Sequence, residues 1–409
     1  MKKALFIVPI SVCGPPDDGG SQRTRLLFSA LLQQYEVDVL IVGSGVADMH
    51  KKPFASANAV HEGIHESPSD AGLWRVLQNF APIELAHKIA SLLRPRIVSY
   101  SSDQKMRESM RQMDFSRYDL IVGRFFRPTA RAGVLTEKDA PPVVIDIDDR
   151  DDRVFETRNE ANRFNPVLGA LNRWHARQIR TIMAELLPRA RHLWFVSRED
   201  ADGFNHPSTS LLPNISFHAP ETPPPPAPTS RILLFVGSAV HQPNARGVRY
   251  FLKACWPAIF EAAPDAVFRI VGKGWEALPQ ALAKQPGVQV AGFVDDIADE
   301  YAAALAAISP IYDGGGTKIK VVEAMAYGRP VLVDIHSALG VTDGRADDGV
   351  VVAQNDAEMI AACLRLLRAP EEAARLAARA HAASQKRASR ASFAAQALHD
   401  CAAAIESAG

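Results

Sequence analysis

Residues 308–333 read Ile-Ser-Pro-Ile-Tyr-Asp-Gly-Gly-Gly-Thr-Lys-Ile-Lys-Val-Val-Glu-Ala-Met-Ala-Tyr-Gly-Arg-Pro-Val-Leu-Val. The stretch predicts a strand, a glycine loop, a helix and a second strand. The apolar run Ile308–Ile311 stops at Tyr312 and Asp313. Gly314, Gly315 and Gly316 carry no Cβ, so a ligand can approach the backbone closely there. Thr317 is a good N-cap, and the helix is expected to run through Val321, Val322, Ala324 and Met325. Gly328 falls at the C′ position, Pro330 blocks continuation, and Val331–Val333 begins the next buried strand.

The chemistry follows from that order. A helix N-terminus presents unpaired N–H groups and a partial positive charge, which suits an anion. Lys318 and Lys320 add full positive charges on the first turn, where cations are unfavourable unless an anion balances them. The pair therefore points to a phosphate. Glu323, the one carboxylate in the helix, can accept hydrogen bonds from two adjacent sugar hydroxyls. A diphosphate at the helix mouth with a ribose beside Glu323 makes a nucleotide-diphosphate site. The alternative is an ordinary crossover whose charged residues face solvent; the coincidence of loop, cations and acid favours the site.

These residues resemble the donor-site signature of GT-B glycosyltransferases, specifically the retaining family 4, or group 1, class. Glu323 with Ala324–Val331 matches the second Glu of that family's E-x7-E motif and the apolar segment after it. Gly315 stands where the first Glu would be. The Gly-Gly-Thr-Lys-x-Lys form is similar to a branch of exopolysaccharide sugar transferases. The resemblance implies an α/β, GT-B chain: two Rossmann-like domains facing across a cleft, with a C-terminal helix returning to the N-terminal domain. It implies a UDP- or GDP-sugar donor and transfer with retention of configuration, with no obligatory cofactor or metal. The acceptor would be a saccharide or lipid-linked group in surface polysaccharide or glycoconjugate synthesis. The helix end and Lys318 would stabilise the leaving group.

The totals fit two domains. The chain has 409 residues, 47% of them hydrophobic, enough for two cores of normal size and too apolar for disorder. Its 46 basic and 46 acidic residues cancel, so no global field recruits nucleic acid. Cys13, Cys255, Cys363 and Cys401 lie far apart without a C-x-x-C pair, which suits a reducing compartment and no structural zinc. Met1-Lys2-Lys3 before an apolar run imitates a signal peptide. Val12 precedes Cys13, however, and no Ala-x-Ala-like site follows, so Leu5–Ile10 reads as a buried strand. No run approaches the ~18 apolar residues of a membrane span. A cytoplasmic enzyme is expected, with peripheral contact at the inner face of the membrane left open.

Along the first half, Ala4–Ile10, a helix from Arg23 to Gln34 and a strand Val37–Val42 form a βαβ opening. Gly19 and Gly20 place a glycine turn at a helix mouth, which the resemblance sets opposite the donor phosphates with Arg23 behind. His61-Glu62-Gly63-Ile64-His65 matches the zincin pattern H-E-x-x-H formally. That chemistry needs one helix face, whereas Gly63 and polar flanks oppose a helix and no third ligand follows. Leu92–Met113 is a basic patch. Strands are expected at Tyr118–Val122 and Val143–Ile147, the latter running into Asp146-Ile-Asp-Asp-Arg-Asp-Asp152. Asp148 or Asp149 can orient an acceptor hydroxyl there, in preference to a D-x-D metal site; an acidic helix cap is the plainer alternative. Pro166–Leu187 reads as a basic amphipathic helix whose Trp174 and Arg173, Arg177 and Arg180 suit an anionic membrane surface.

Ala219–Pro228 is the clearest boundary, because polyproline is a semi-rigid spacer. The expected division is 1–218, an acceptor domain; 219–229, a linker; 230–388, a donor domain; and 389–409, a returning helix. The second half restarts with the strand Arg231–Val236, a loop to Asn244 and a helix through Phe251. Val267–Val271 and Val288–Phe293 are further strands. By the resemblance, Gly237, Ser238, His241 and Asn244 line the donor diphosphate, with Lys273 near it. Phe293 and Val294 would wrap the base. Ser238 and Asn244 replace the family's Arg and Lys, which leaves Lys318 and Lys320 to supply the charge. Two other functions share these features. A nucleotide-sugar 2-epimerase would use His241 and the Asp148 cluster, and a binding protein would hold the nucleotide sugar without turnover.

Overall fold

The computed structural model describes the chain except residues 16–18, 66–99, 112, 149, 154–165, 221, 313–318, 339, 342–347, 388 and 408–409. Contacts divide it into two units, Met1–Leu212 with Ala391–Gly409, and Pro213–Arg390.

The first unit is built on β1 Lys2–Pro9, β2 Tyr35–Gly43, β3 Ala59–Ile64, β4 Leu120–Arg124, β5 Val143–Asp148, β6 His192–Phe195 and β7 Thr209–Leu211. They pair in parallel in the order β3-β2-β1-β4-β5-β6-β7. The second unit holds β8 Ile232–Val236, β9 Val267–Val271, β10 Val288–Gly292, β11 Ala306–Ser309, β12 Val331–Asp334 and β13 Val350–Ala353. Their order is β10-β9-β8-β11-β12-β13, again parallel. Continuous apolar runs suit this arrangement because helices cover both faces of a parallel sheet; Ala4–Val8 of β1 is wholly buried. In each sheet the chain works outward to one side and then restarts on the other. The reversals fall between β1 and β4 and between β8 and β11. The carboxyl ends of strands at such a reversal open a crevice for ligands.

Several elements depart from the expected bounds. The strand read at Ile308–Ile311 is Ala306–Ser309, since Pro310 has no N–H to give to a ladder. The segment carrying His61 and Glu62 is β3, an edge strand, and places alternate residues on opposite faces. His61 Nε2 lies 3.6 Å from Asp38 and Glu62 binds Lys51 at 2.7 Å. The H-E-x-x-H spacing, which needs a helix, therefore makes no metal face.

The helix Ile319–Ala326 ends as its sequence predicts. Gly328 has φ +63°, its N–H bonds Met325 at 3.0 Å, and the Arg329 N–H bonds Ala324 at 2.9 Å, a Schellman ending. Arg329 is fully buried and donates Nη2 to the Pro224 carbonyl at 2.8 Å and Nη1 to that of Gly328 at 3.1 Å. Its Nε donates to the carbonyl of Tyr301. Burial lowers its pKa to about 10. The proline-rich segment is thus fastened to the second unit. The C-terminal helix Arg390–Glu406 supplies Asp400 to the first unit, where it accepts from Trp194 Nε1 at 2.8 Å and Ser210 Oγ at 2.7 Å.

All four cysteines are free and buried: Cys13 and Cys401 in the first unit, Cys255 and Cys363 in the second. Among the described residues no helix is long and apolar enough to cross a membrane.

Candidate functional site

The crevice between the carboxyl ends of β8 and β11 gathers residues from three loops. β8 runs into Gly237, and β9 into Gly272, whose φ is +136°. A Cβ on Gly272 would lie 2.3 Å from the Gly237 carbonyl oxygen, so only glycine lets the two loops meet. Trp275 Nε1 donates to that same oxygen at 2.7 Å. The buried Asn244 donates Nδ2 to the Ser238 carbonyl at 2.8 Å, and its Oδ1 accepts from Lys320 Nζ. Lys320 Nζ also sits 5.3 Å over the Phe235 ring. Gly237, Ser238, Asn244 and Lys320, remote in sequence, therefore share one place. Asn244 is neutral, so this bond holds Lys320 at the first turn of its helix without itself removing the charge.

Glu323 lies one turn further along that helix and is 5% exposed. Its Oε2 accepts from Tyr301 Oη at 3.1 Å, and Tyr301 stacks on Tyr327 with ring centroids 4.5 Å apart. Burial first, and then the Glu323 charge, push the Tyr301 phenol well above its ordinary pKa. The phenol thus stays protonated as a donor, and Glu323 is not a solvated surface acid. At the ends of β9 and β10, Lys273 Nζ stands 4.6 Å over the ring of Phe293, which is 52% exposed. Val294 is half-buried beside it. His241 is exposed at the N-cap of the helix Gln242–Ala254 and makes no side-chain cap bond. Gly314, Gly315, Gly316, Thr317 and Lys318 lie outside the described residues.

In the first unit the corresponding reversal holds a buried charge network. Gly19 and Gly20 open the helix Gly19–Leu31. Arg23, 1% exposed, grips Asp146 through Nε at 2.8 Å and Nη2 at 2.7 Å. Arg124, fully buried, binds Asp146 at 2.9 Å and Asp148 at 2.6 Å. Arg23 therefore serves as a bidentate support for Asp146, beneath Phe393 at 5.5 Å. Further along the acidic run, Asp151 accepts from Tyr100 Oη at 2.8 Å and Arg127 at 3.2 Å, and Asp152 from Arg150 at 2.9 Å and Arg180 at 3.3 Å. Asp152 is pulled below the usual carboxylate range: burial opposes this, and the two arginines outweigh it. Each described acid of the run is thus matched to arginine, whereas Asp149 lies outside the described residues.

Sequence reasoning missed Arg124, Tyr301 and Trp275. Arg124 had a signal, a charge closing the apolar strand Leu120–Gly123; the other two carry none before the chain is folded.

Residues 230–369 match the family model described as glycosyl transferases group 1. The second unit holds a group 1 glycosyltransferase domain. The whole chain is similar in structure to sucrose-phosphate synthase from Thermosynechococcus elongatus, with TM-score 0.69 and 14% identity over 100% of each chain. It is also similar to HepE from Anabaena, solved with UDP and glucose, with TM-score 0.63 and 13% identity over 98% of this chain and 100% of that one. WaaG, a glycosyltransferase involved in lipopolysaccharide biosynthesis, gives TM-score 0.59 and 14% identity over 96% and 98%. No curated protein matches the chain by sequence. The fold of the chain is GT-B.

Proposed function

We propose that the chain is a retaining glycosyltransferase that moves a sugar from a UDP- or GDP-sugar to a saccharide or lipid-linked acceptor in surface polysaccharide or glycoconjugate synthesis. One observation carries this reading: Gly237, Ser238, Asn244 and Lys320 converge at the β8/β11 reversal, one helical turn from the buried Glu323. Glycines admit the diphosphate, while Lys320 and, by the sequence, Lys318 with Gly314–Thr317 supply N–H groups and charge to it. Glu323 takes the ribose hydroxyls, and Phe293 with Val294 the base. Charge building on the departing diphosphate is offset by groups already in place, which is electrostatic catalysis. HepE, solved with UDP-glucose, supports a uridine donor. Asp148 and Asp149 take the acceptor side, with Arg124 binding Asp148 directly and Arg23 holding the neighbouring Asp146 that Arg124 also grips. The helix Pro166–Leu186, with exposed Arg173, Arg177 and Trp174, supports contact with an anionic membrane.

The test is incubation of purified protein with a panel of UDP- and GDP-sugars. Release of free nucleotide diphosphate, and a product anomer matching that of the donor by NMR, are expected. An altered sugar without release would make the protein an epimerase, and thermal stabilisation alone a binder.

A further inference from the structure

The connection from β10 to β11 begins with Phe293 and Val294 and then forms the helix Ile297–Ala303, capped by Asp296, whose Oδ1 accepts from the Ala298 N–H at 2.8 Å. Val294, Ile297 and Ala298 pack against the apolar cluster that holds Tyr301, Met325 and Tyr327. The helix thus delivers Tyr301 to the side of the helix Ile319–Ala326 that carries Glu323. Tyr301 is 1% exposed and is fixed along its whole length. Its carbonyl accepts from the Ala304 N–H at 3.1 Å and from Nε of the buried Arg329. Its ring lies on that of Tyr327, with the planes 13° apart. The hydroxyl at the far end therefore has a set place, from which it donates to Glu323 Oε2 at 3.1 Å.

That bond bears on what Glu323 can recognise. The last torsion of a glutamate is broad, so packing of the stem does not by itself fix the plane of the carboxylate. Two adjacent sugar hydroxyls are held together only when that plane faces both. A phenol is suited to set it, because it is a neutral donor: it fixes the rotation of the carboxylate without itself removing the charge. An ionised carboxylate only accepts, so the remaining lone pairs select hydroxyl donors. A ribose offers two such neighbours, and each deoxyribose only one.

We propose that Tyr301 is a positioning residue: braced by Tyr327, its hydroxyl sets the plane of the Glu323 carboxylate and so lets the protein tell a ribonucleotide from its deoxy forms. The proposal rests on the donor-site reading above, in which Glu323 takes the ribose hydroxyls, and adds the residue on which that discrimination depends. Calorimetric titration with UDP, 2′-deoxy-UDP and 3′-deoxy-UDP, and with GDP and its two deoxy forms, reads the ratio of deoxy to ribo dissociation constants. The wild type should bind a ribonucleotide more tightly than its deoxy forms. Tyr301→Phe, which keeps the ring on Tyr327, should shrink that ratio by about threefold to tenfold, the scale of one hydrogen bond, and leave deoxy affinity unchanged. Glu323→Gln should shrink it too, and adding Tyr301→Phe to Glu323→Gln should change it no further. A ratio kept in Tyr301→Phe but lost in Glu323→Gln, or equal losses for ribo and deoxy forms in Tyr301→Phe, would overturn the proposal and leave the donor site standing. Should a thermal melt show Tyr301→Phe unfolded, Tyr327→Leu, which removes the brace and keeps the hydroxyl, is expected to shrink the ratio, and an undiminished ratio there overturns the proposal. A wild type that binds ribo and deoxy forms alike would take Glu323 off the ribose, and failure of every nucleotide to bind would remove the donor site; the proposal falls with either.

Discussion

Phe125 and Asp148 are the two non-glycine residues with a left-handed φ among those described, at 67° and 51°. They sit at the carboxyl ends of neighbouring strands over Arg124, whose guanidinium lies 3.8 Å from the Phe125 ring centroid. Phe125, with ψ 149°, occupies a region that only glycine enters freely; such strain costs about 1–3 kcal/mol and persists where surroundings over-determine it. Phe125→Gly is therefore expected to be more stable than Phe125→Ala by roughly 1 kcal/mol, inverting the usual order, as urea unfolding would report. At the other site, the proposed placing of Lys320 at the donor phosphates predicts that Lys320→Ala weakens UDP more than uridine by calorimetry. Lys320 and Glu323 were legible in sequence because charges interrupt an apolar helix. Arg124, a charge closing an apolar strand, was missed because the strand was expected to end at Val122. The pairing of Arg23 with Asp146 was illegible as well: two strand ends must be side by side before an arginine on the helix after β1 has anything to hold.

The helix Ile319–Ala326 was readable at its C-terminal end because glycine and proline act locally. Gly328 combines φ +63° with a Pro223 side chain that would stand 3.0 Å from any added Cβ. Gly328→Ala should cost about 1–2 kcal/mol from the backbone alone, measured as a lower unfolding midpoint of the second unit. The strand β9 was found at its observed bounds, Val267–Val271, from its run of valine, phenylalanine and isoleucine. β3 and β7 were not, since β3 mixes half-buried polar residues with Gly63 and β7 is the triplet Thr209–Leu211. β11 was displaced because Ile311 looks like strand, although Pro310 had already ended the ladder.

At the scale of the molecule, the two-sheet α/β plan was legible from the repeated strand–helix alternation, and the part that Asp400 of the last helix plays in the first unit was not. Asp400 reaches Trp194 across 206 residues of chain. Burial alone would raise its pKa; bonds from His192, Ser210, Gln396 and Trp194 win and hold it well below the ordinary carboxylate range. A depressed folded-state pKa stabilises fully above the unfolded value, about 3.9, and the benefit is lost as pH falls below it toward the folded-state value. Asp400→Asn should therefore lower stability by about 2–3 kcal/mol near neutral pH and flatten the acid limb of a stability–pH profile. The four sulfurs, two in each unit, offer a way to watch this. Burial holds Cys13 and Cys255 near pKa 12 and Cys363 and Cys401 higher still, so an alkylating reagent meets thiolate only after the surrounding segment opens. Pulse alkylation read by peptide mass would clock the opening of each half separately, with the protein itself as its own pair of reporters.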